Sequence, residues 1–363
     1  MIILKVLFFL LFLLLPLGQI ERIPLANPQI GFYIHDIIIF LIVFLWLGMK
    51  IVQKPKIEVG KIGKPILLFL LIAFTSFAVN SFGKNINEIT IAFLYLSRWA
   101  VYAGLYFVIV NEKNIRLFGF SIIQLLVFVG FAFAVFGLIQ YFAFPDIRSL
   151  VVYQWDPHFY RVVGTLLEPG FLGLIFVLAM ILVITSIIFS KTNLLCVFRS
   201  VKSTAKKGDK KELIIDWLIL IILYIPFALT YSRSAYFAFI TAICAIAYFR
   251  KNLKFLLITL CIFALTILVL PRPGGEGVKL ERQASIYSRL ISWNQGFDVF
   301  KKHPFLGIGF NYYRYKARDL NYLSKQWQVN HAGAGVDNSF IFILATTGIV
   351  GFVFYLLALQ DNS

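Results

Sequence analysis

Long apolar segments separated by short polar links dominate this chain of 363 residues. Phenylalanine, isoleucine and leucine recur on every side of each segment, which is the pattern of helices surrounded by lipid or protein. A helix needs about 20 such residues to cross a bilayer. The pattern predicts an all-α, polytopic membrane protein with about ten transmembrane helices, and we expect a single transmembrane domain over residues 1–363. The apolar segments lie at roughly 2–18, 31–49, 65–82, 89–110, 117–144, 169–190, 213–230, 234–249, 255–271 and 338–359.

The charges in the links between these segments predict how the chain is oriented. One alternating set of links carries seventeen lysine and arginine residues, whereas the short links of the other set carry four. Basic residues concentrate on the cytoplasmic side of membrane proteins, so the first set is predicted to be cytoplasmic. Residues 191–212 then form a basic cytoplasmic loop, and both chain ends are cytoplasmic. The first apolar segment has no small-residue cleavage site, so we expect an uncleaved helix.

One long polar segment, residues 271–337, falls on the predicted outer side. It is rich in tyrosine and in basic residues, and its positive charge is not an orientation signal because long loops are exempt from the charge rule. An apolar face at helical spacing predicts a short amphipathic helix over residues 286–302. The residues of that face are Ile286, Leu290, Trp293 and Phe297.

Composition narrows the possible functions. Hydrophobic residues make up 60% of the chain and charged residues 14%, against ~45–50% and ~25% in soluble domains. A water-soluble enzyme is therefore excluded. The four histidines lie far apart, and the sequence has neither a phosphate-binding glycine loop nor a metal-ligand motif, so we expect no metal and no other cofactor. The net charge of +17 is divided between the membrane-flanking links and the outer loop, and we expect no nucleic-acid partner.

Charged residues beside the apolar segments are the main functional candidates, because such charges are costly in lipid. Each has a structural alternative. Arg161 could pair with Glu168, Arg233 could reach the lipid headgroups, Arg289 could be a solvated loop charge, and Asp337 could cap the last helix. Together they suit an anionic lipid-linked substrate, since an arginine fork binds phosphate oxygens in pairs. The candidates on the predicted outer side are Arg161, Glu168, Arg233, Arg289, His331 and Asp337.

Several of these residues occur in an order that resembles the O-antigen ligase and polymerase family. In that family an SR turn precedes a large periplasmic loop. The loop begins with R-x-x-x-W, an HP-x-x-G-x-G run comes next, and a helix starting with HN or DN follows. The similar segments here are RVVGTLLEPGFLG (161–173), LTYSRSA (229–235), SRLISWN (288–294), FKKHPFLGIGF (300–310), DNSFI (337–341) and TGIVG (347–351).

The resemblance implies a metal-independent glycosyltransferase at the periplasmic face of the bacterial inner membrane, with 271–337 as its large periplasmic loop. The implied partners are a glycan donor linked to undecaprenyl pyrophosphate, a glycan or lipid-core acceptor, and membrane lipid. Arg233 and Arg289 would hold the pyrophosphate, and fixed cations stabilise the charge that grows on this leaving group. The further substrate-binding residues would be Arg161, Trp293 and Asn338.

The identity of the general base stays open. A base is needed because the acceptor hydroxyl loses its proton as it attacks the donor sugar. The family's proposed base is a histidine directly before an asparagine, and here Asp337 has that position. This departure leaves Asp337, which we favour, beside His331 and Glu168 as candidates. It also favours a polysaccharide polymerase over an O-antigen ligase.

The alternative function is a transporter or flippase for a lipid-linked or anionic solute. A transporter should have charges near the membrane midplane and interrupted helices in two matching halves. Only Arg98 is deep within a predicted membrane segment, where it is expected to pair with Asp36 or Glu88 or to line a cavity. The halves show no similarity, so the sequence favours the transferase.

Overall fold

The structure is a computed structural model of the chain. It describes residues 2–23, 25, 27, 29–54, 56–112, 120–153, 155–189, 210–273, 276–280, 283–323, 327 and 335–360. His331 and most of the predicted cytoplasmic loop 191–212 lie outside these ranges.

Within the described residues the fold is helical, with only two strands of two residues each. The helices are α1 (Ile2–Leu14), α2 (Ile34–Gln53), α3 (Gly63–Asn80), α4 (Ile86–Asn111), α5 (Ile122–Ala143), α6 (Pro169–Phe189), α7 (Lys210–Ala228), α8 (Arg233–Arg250), α9 (Leu253–Val269), α10 (Ala284–Lys302), α11 (Tyr313–Asp319) and α12 (Ser339–Leu359). The strands are β1 (Arg22–Ile23) and β2 (Phe32–Tyr33). Short 3₁₀ helices cover Leu15–Glu21, Arg148–Tyr153, Gly164–Leu166 and Glu276–Val278.

The prediction of an all-α, polytopic membrane protein is confirmed. Each of the ten apolar segments contains a helix, namely α1 to α9 and α12. In the part of the chain that the structure describes, seven helical spans are long and apolar enough to cross a membrane, while the apolar helices Ile214–Ala228 and Leu253–Val269 are shorter. By length and composition, therefore, fewer than ten of the described helices qualify as membrane spans.

Short polar residues mark where these helices begin. Asn85, Ser121, Ser232, Asn252 and Asn338 each precede a helix, and each side-chain oxygen accepts a hydrogen bond from a backbone N–H of the first turn. Those N–H groups have no partner inside the helix, so a side-chain acceptor compensates them. The caps at Ser232 and Asn338 place candidate site residues, because Arg233 follows one cap and Asp337 precedes the other.

The chain divides into two compact units, of which the first comprises Met1–Arg22 and Ile115–Arg282. Within it α6 packs against α5, α7 and α8. A Cβ atom at Gly173 of α6 would lie 2.6 Å from the Cβ of Ala235 in α8. That distance is far below van der Waals contact, so glycine is what allows α6 to approach the start of α8.

The second unit comprises Ile23–Asn114 and Gln283–Ser363. Here α3 packs along α12, α2 packs against α4, and α10 packs against α12. A cluster of buried aromatic side chains, among them Phe69, Phe77, Tyr312 and Tyr315, joins α3 to the segment around α11. The prediction of one domain over residues 1–363 stays a prediction.

Helix α12 is interrupted near its middle, where Gly348 has a φ of 67°. The predicted HP-x-x-G-x-G run packs against the interruption. Ile308 donates its N–H to the carbonyl of Ala345 at 3.0 Å, and Ile349 donates to the carbonyl of Pro304 at 2.8 Å. Because an apolar environment offers no water to freed backbone groups, the run supplies the partners that the broken helix lacks.

Candidate functional site

In the first unit, the candidate residues surround the turn between α7 and α8. Helix α7 ends at Ala228, and Ser232 caps α8 by accepting a hydrogen bond from the N–H of Ala235 at 3.4 Å. Tyr231, in the turn, is buried and has a left-handed φ of 47°. The turn is therefore tightly constrained, and it places Arg233 at the first position of α8.

The side chain of Arg161 fixes this turn through hydrogen bonds to its backbone. Only 7% of the residue is exposed, and its Nε donates to the carbonyl of Thr230 at 2.6 Å while Nη2 donates to the carbonyl of Tyr231 at 3.3 Å. A buried guanidinium needs such acceptors, because a charge removed from water without partners is costly. These contacts show Arg161 bound to the protein's own backbone.

Glu168 lies at the start of α6 and is exposed. Its Oε1 accepts a hydrogen bond from the N–H of Gly170 at 2.9 Å. A Cβ atom at Gly170 would lie 3.7 Å from the Oγ atoms of both Ser232 and Ser234. The carboxylate and the two hydroxyls thus approach one glycine, and the structure brings Glu168 to the same turn as Arg161.

Arg233 is half-buried and connects the turn to the beginning of the long polar segment. Its Nη1 donates to the carbonyl of Leu280 at 3.3 Å. The hydroxyl of Tyr231 donates to the carbonyl of Pro271 at the start of the same segment. Two neighbouring residues of the turn therefore bind the segment that begins at residue 271.

In the second unit, the candidate residues lie where α10 contacts the start of α12. The backbone N–H of Asp337 donates to the Oγ of Ser292 at 3.2 Å. Gly296, one turn further along α10, faces Val336 and Ile341 so closely that a Cβ atom would lie 2.6 Å from the side chain of Ile341. Arg289 is one turn before Ser292, so it lies on the side of α10 that faces Asp337.

Trp293 belongs to the same contact region. Its indole Nε1 is buried and has no hydrogen-bond partner among the described residues. The predicted apolar face of α10 does not form the packed side. Ile286 and Leu290 are each 49% exposed and Phe297 is 40% exposed. The packed side instead contains Gly296 and the buried Val299, and a glycine does not stand out in a search for hydrophobic spacing.

Asp337 does not cap α12, so this structural alternative is wrong. Asn338 is the cap, and its Oδ1 accepts hydrogen bonds from the N–H groups of Phe340 at 2.9 Å and Ile341 at 3.2 Å. The side chain of Asp337 is left exposed. Burial, followed by the charges of Tyr322 and Asp337, raises the pKa of Tyr313 to about 12, which places Tyr313 near this carboxylate.

The deep charge Arg98 forms the expected ion pair. Its Nε lies 2.8 Å from Oδ1 of Asp36, and that carboxylate also accepts a hydrogen bond from the hydroxyl of Tyr102 at 2.6 Å. Arg98 and Asp36 also line a largely apolar cavity of about 550 Å³ between α2 and α4. Both expectations for Arg98 are therefore met, and its charge is compensated. Glu88 is instead paired with Arg318 at 2.6 Å.

The structure thus gathers the candidates into two groups, each within one unit. Arg161, Glu168 and Arg233 surround the turn before α8, and Arg289, Trp293, Asp337 and Asn338 meet where α10 contacts α12. His331 lies outside the described residues. Within the described residues, no group of three histidine, cysteine, aspartate or glutamate side chains could hold a metal ion.

The apolar helices and the charged residues beside them define a multi-pass membrane protein whose candidate residues lie outside the long apolar spans. Residues 217–356 match the family described as O-antigen ligase. This part of the chain is therefore similar to an O-antigen ligase domain, and the match together with the apolar helices indicates a multi-pass bacterial membrane protein of a glycan-processing type. No curated protein and no solved structure matches the chain. The match includes six candidates, namely Arg233, Arg289, Trp293, His331, Asp337 and Asn338.

Proposed function

We propose that the protein transfers a glycan from undecaprenyl pyrophosphate to a sugar hydroxyl at the periplasmic face of the inner membrane. The observation that carries this proposal is the O-antigen ligase match, because it spans the turn before α8 and the start of α12. The hydrogen bonds that fix these two places support it. A membrane glycan-processing protein needs a lipid-linked donor, and a pyrophosphate on that donor fits the arginine side chains presented there.

The chemistry needs three contributions. The acceptor oxygen attacks the anomeric carbon of the donor sugar, the bond from that carbon to the pyrophosphate oxygen breaks, and the proton of the hydroxyl goes to a base. Arg233 and Arg289 stabilise the negative charge that grows on the departing undecaprenyl pyrophosphate. Because this leaving group needs no acid, one base is sufficient.

Asp337 is the base in this proposal. Its carboxylate is exposed, and Asn338 performs the capping of α12, so Asp337 is available to accept a proton. Its backbone N–H is fixed to Ser292 on α10, one turn from Arg289. His331 and Glu168 are the other candidates. Glu168 already accepts a hydrogen bond from the N–H of Gly170.

Arg161 has a different part in the proposal from the one that the resemblance implies. Its guanidinium binds the carbonyls of Thr230 and Tyr231, so it positions the turn that presents Arg233. Trp293 and Asn338 lie beside Asp337 and contribute to the binding of the sugars. The reaction in this proposal uses no metal ion, because arginine supplies the positive charge.

The alternative is a transporter or flippase, and one observation bears on it. The interruption of α12 at Gly348 resembles the broken helices of transporters. The carbonyls of Ala345 and Thr346 beside it, however, accept hydrogen bonds from Ile308 and Gly309, so they are not free for a solute. The Arg98–Asp36 pair is likewise compensated. Both features favour the transferase.

The products that accumulate in a deletion strain test the function. A polymerase, which we favour, predicts single unpolymerised repeats on the lipid carrier, and a ligase predicts full-length chains that are not attached to a lipid core. The control is the deletion strain that carries the chain on a plasmid, in which normal products should return. Normal polymer length and normal attachment in the deletion strain would contradict the proposal.

The predicted orientation has its own test. In a variant without the native cysteines, a cysteine at Ser234 or Asp298 should react with a membrane-impermeant maleimide added to the periplasm. A cysteine at Lys64 or Lys251 should react only after the membrane is opened. Protection of Ser234 and Asp298 in intact cells would contradict a periplasmic site, because the acceptor sugars are outside.

A further inference from the structure

Four basic side chains of the second unit lie close together away from the residues discussed above. Lys302 and His303 end α10, Lys316 belongs to α11, and Lys84 lies in the link between α3 and α4. In the resemblance, His303 begins the HP-x-x-G-x-G run, which the proposed function leaves without a chemical part. We call these four residues the basic cluster.

Tyr312 contacts Lys84 and directly precedes α11, the helix that carries Lys316. The Nζ of Lys84 lies 5.4 Å from the centre of the Tyr312 ring, which is the distance of a cation–π contact. The carbonyl of Tyr312 accepts a hydrogen bond from the N–H of Lys316 at 3.1 Å. The hydroxyl of Tyr312 lies 2.8 Å from the Oγ of Ser81, and the ring is fully buried. The cluster therefore has a rigid base.

The backbone between His303 and Tyr312 is also fixed by hydrogen bonds. Gly307 donates its N–H to the carbonyl of His303 at 3.1 Å, and Tyr312 donates to the carbonyl of Gly309 at 3.1 Å. Both glycines have positive φ angles, 66° and 103°, which other residues rarely adopt. The HP-x-x-G-x-G run thus connects His303 to Tyr312 through a defined turn.

The charge of the basic cluster is not compensated by the carboxylates that the structure describes nearby. The nearby acidic side chains have other partners, since Glu88 and Asp319 bind Arg318 at 2.6 and 2.7 Å. Among the described residues, Lys84, Lys302 and Lys316 have no ion pair. Burial, followed by the charges of these three lysines, lowers the pKa of His303.

A structural explanation covers only part of this arrangement. Lysine in the last turn of a helix compensates the helix dipole, which accounts for Lys302 at the end of α10. Lys316 lies in the last turn of α11, so the same dipole compensates its charge but does not explain why it lies near Lys302 and His303. Lys84 lies in the link between α3 and α4 and ends no helix. Cations of one sign collected around a fixed site raise the local concentration of anions.

We propose that the basic cluster binds an anionic group, a phosphate or a carboxylate, on the acceptor glycan. The identity of the acceptor rests on the proposed function. Lys84 and Lys316 contact the anion, and His303 donates to it in its protonated form. Tyr312 supports the cluster, and the next residue, Tyr313, lies near Asp337. Because Tyr312 and Tyr313 are adjacent, an acceptor anchored at the basic cluster by its anionic group would lie within reach of Asp337, the candidate base.

Binding of small anionic sugars to the purified full chain tests this proposal. The chain, labelled on its histidine rings, is placed in nanodiscs of phosphatidylcholine, and the NMR titration of His303 is identified by its loss in His303→Gln. Glucose 6-phosphate and glucuronate are the probes, and glucose is the neutral control. We expect at least one anionic probe to raise the pKa of His303 by about half a unit or more, because an anion favours the charged imidazole. Glucose should leave it unchanged.

Variants of the lysines make the test specific. Lys84→Gln combined with Lys316→Gln should weaken the binding of the anionic sugar by about tenfold or more, as expected when charge-assisted hydrogen bonds are lost. Lys84→Arg should keep most of the affinity. Lys301→Gln is the matched control, because Lys301 is adjacent to the cluster and is paired with Asp298 at 3.8 Å. Equal weakening by Lys301→Gln, or an unchanged pKa of His303 with both anionic probes, would overturn the proposal.

A second membrane composition separates the acceptor from a lipid headgroup. In nanodiscs of phosphatidylglycerol, glucose 6-phosphate should still bind and raise the pKa of His303 above its value without sugar. A pKa that is already raised there without sugar, with glucose 6-phosphate no longer binding, would assign the cluster to anionic lipid and overturn the acceptor proposal. The assay contains no donor, so the pKa of His303 reports sugar binding whether or not the protein transfers a glycan. Failure of the proposed transfer reaction and failure of this site are therefore distinguishable.

Discussion

The two groups of candidate residues differ in how firmly their polar side chains are held. Before α8, Arg161 is 7% exposed and is bound to two backbone carbonyls, and Arg233 is half-buried. At the start of α12, the side chains of Arg289 and Asp337 are exposed. A fixed cation suits the stabilisation of charge that develops in a transition state, because it needs no reorganisation. An open carboxylate suits proton transfer to an incoming acceptor.

The two helix starts also share a feature. Ser232 caps α8 and Asn338 caps α12, so the structural work at both places is done by the neighbours of the candidate residues. Arg233 and Asp337 are thereby released from capping. Loss of a capping oxygen at Ser232 or Asn338 should reduce stability, whereas substitution of Arg233 or Asp337 should reduce activity, and the predictions below use this separation.

The largest effect is expected for Asp337→Asn. Loss of a general base reduces rates by about 10²–10⁴-fold, and we expect that loss in glycan transfer by the purified protein. Thermal stability should be unchanged because Asn338 supplies the cap. Asp298→Asn, which removes another exposed carboxylate of the same unit, is the control, and His331→Ala should lose little. If Asp337→Asn keeps an activity within a few-fold of the wild-type protein while His331→Ala is inactive, the base is the histidine and not Asp337.

A somewhat smaller loss is expected for Arg233→Ala and Arg289→Ala. Removing one charge-assisted contact to the departing pyrophosphate should reduce transfer by about 100-fold, or about 3 kcal/mol. Lysine should restore little, since it lacks the paired donors of the guanidinium. Arg148→Ala removes an exposed arginine that is paired with Asp146, away from both groups of candidates, and should transfer normally. Near-normal polymer length in cells with Arg289→Ala would show that Arg289 is not part of the site.

Arg161→Gln should act mainly on stability. The carbonyls of Thr230 and Tyr231 would lose a buried donor, and such a loss costs about 1–3 kcal/mol. Thermal unfolding of the purified protein measures it, with Arg148→Gln as the exposed control. An unchanged unfolding temperature would show that the turn does not depend on Arg161, and the contrast between the two groups would then be weaker.

Asn338→Ala should have a smaller effect on stability. Replacing an N-cap by alanine costs about 1 kcal/mol, and Asn338→Asp should be nearly neutral because aspartate caps about as well. The same thermal measurement distinguishes the two variants. Equal stability of the alanine and aspartate variants would contradict the assignment of the cap.

The smallest effect is expected from removal of metal ions. Transfer by the purified protein should be the same with and without EDTA, because arginine provides the positive charge in the proposed reaction. A loss of activity in EDTA that returns on addition of Mg²⁺ would contradict this part of the mechanism.

The sequence was sufficient to predict the apolar helices, because their hydrophobic residues extend over whole membrane-spanning lengths. It was not sufficient for α11, whose short polar sequence YRYKARD is held by tertiary contacts of Tyr313 and Tyr315. The segment against which the HP-x-x-G-x-G run packs could not be predicted either. Its hydrogen bonds go to the interruption of α12 about 40 residues later, and local patterns carry no information at that separation.

The sequence predicted the residue types of the candidate site, but it could not assign a role to each residue. Aspartate and asparagine cap helices equally well, so the sequence DN could not decide which of Asp337 and Asn338 is the cap. Arg161 could not be recognised as a positioning residue, because its acceptors are carbonyls about 70 residues away. The packed side of α10 differs from the predicted apolar face because it contains Gly296, which allows a close approach, and the buried Val299.

The most direct test of the account is to follow the donor's glycosidic bond to pyrophosphate. The purified protein in proteoliposomes is given a radiolabelled glycan on undecaprenyl pyrophosphate together with a sugar acceptor. We predict that labelled glycan appears on the acceptor, that one undecaprenyl pyrophosphate is released for each glycan transferred, and that Arg233→Ala protein does neither at a comparable rate. Movement of the intact donor across the bilayer, with the bond to pyrophosphate unbroken, would contradict the account and identify a transporter.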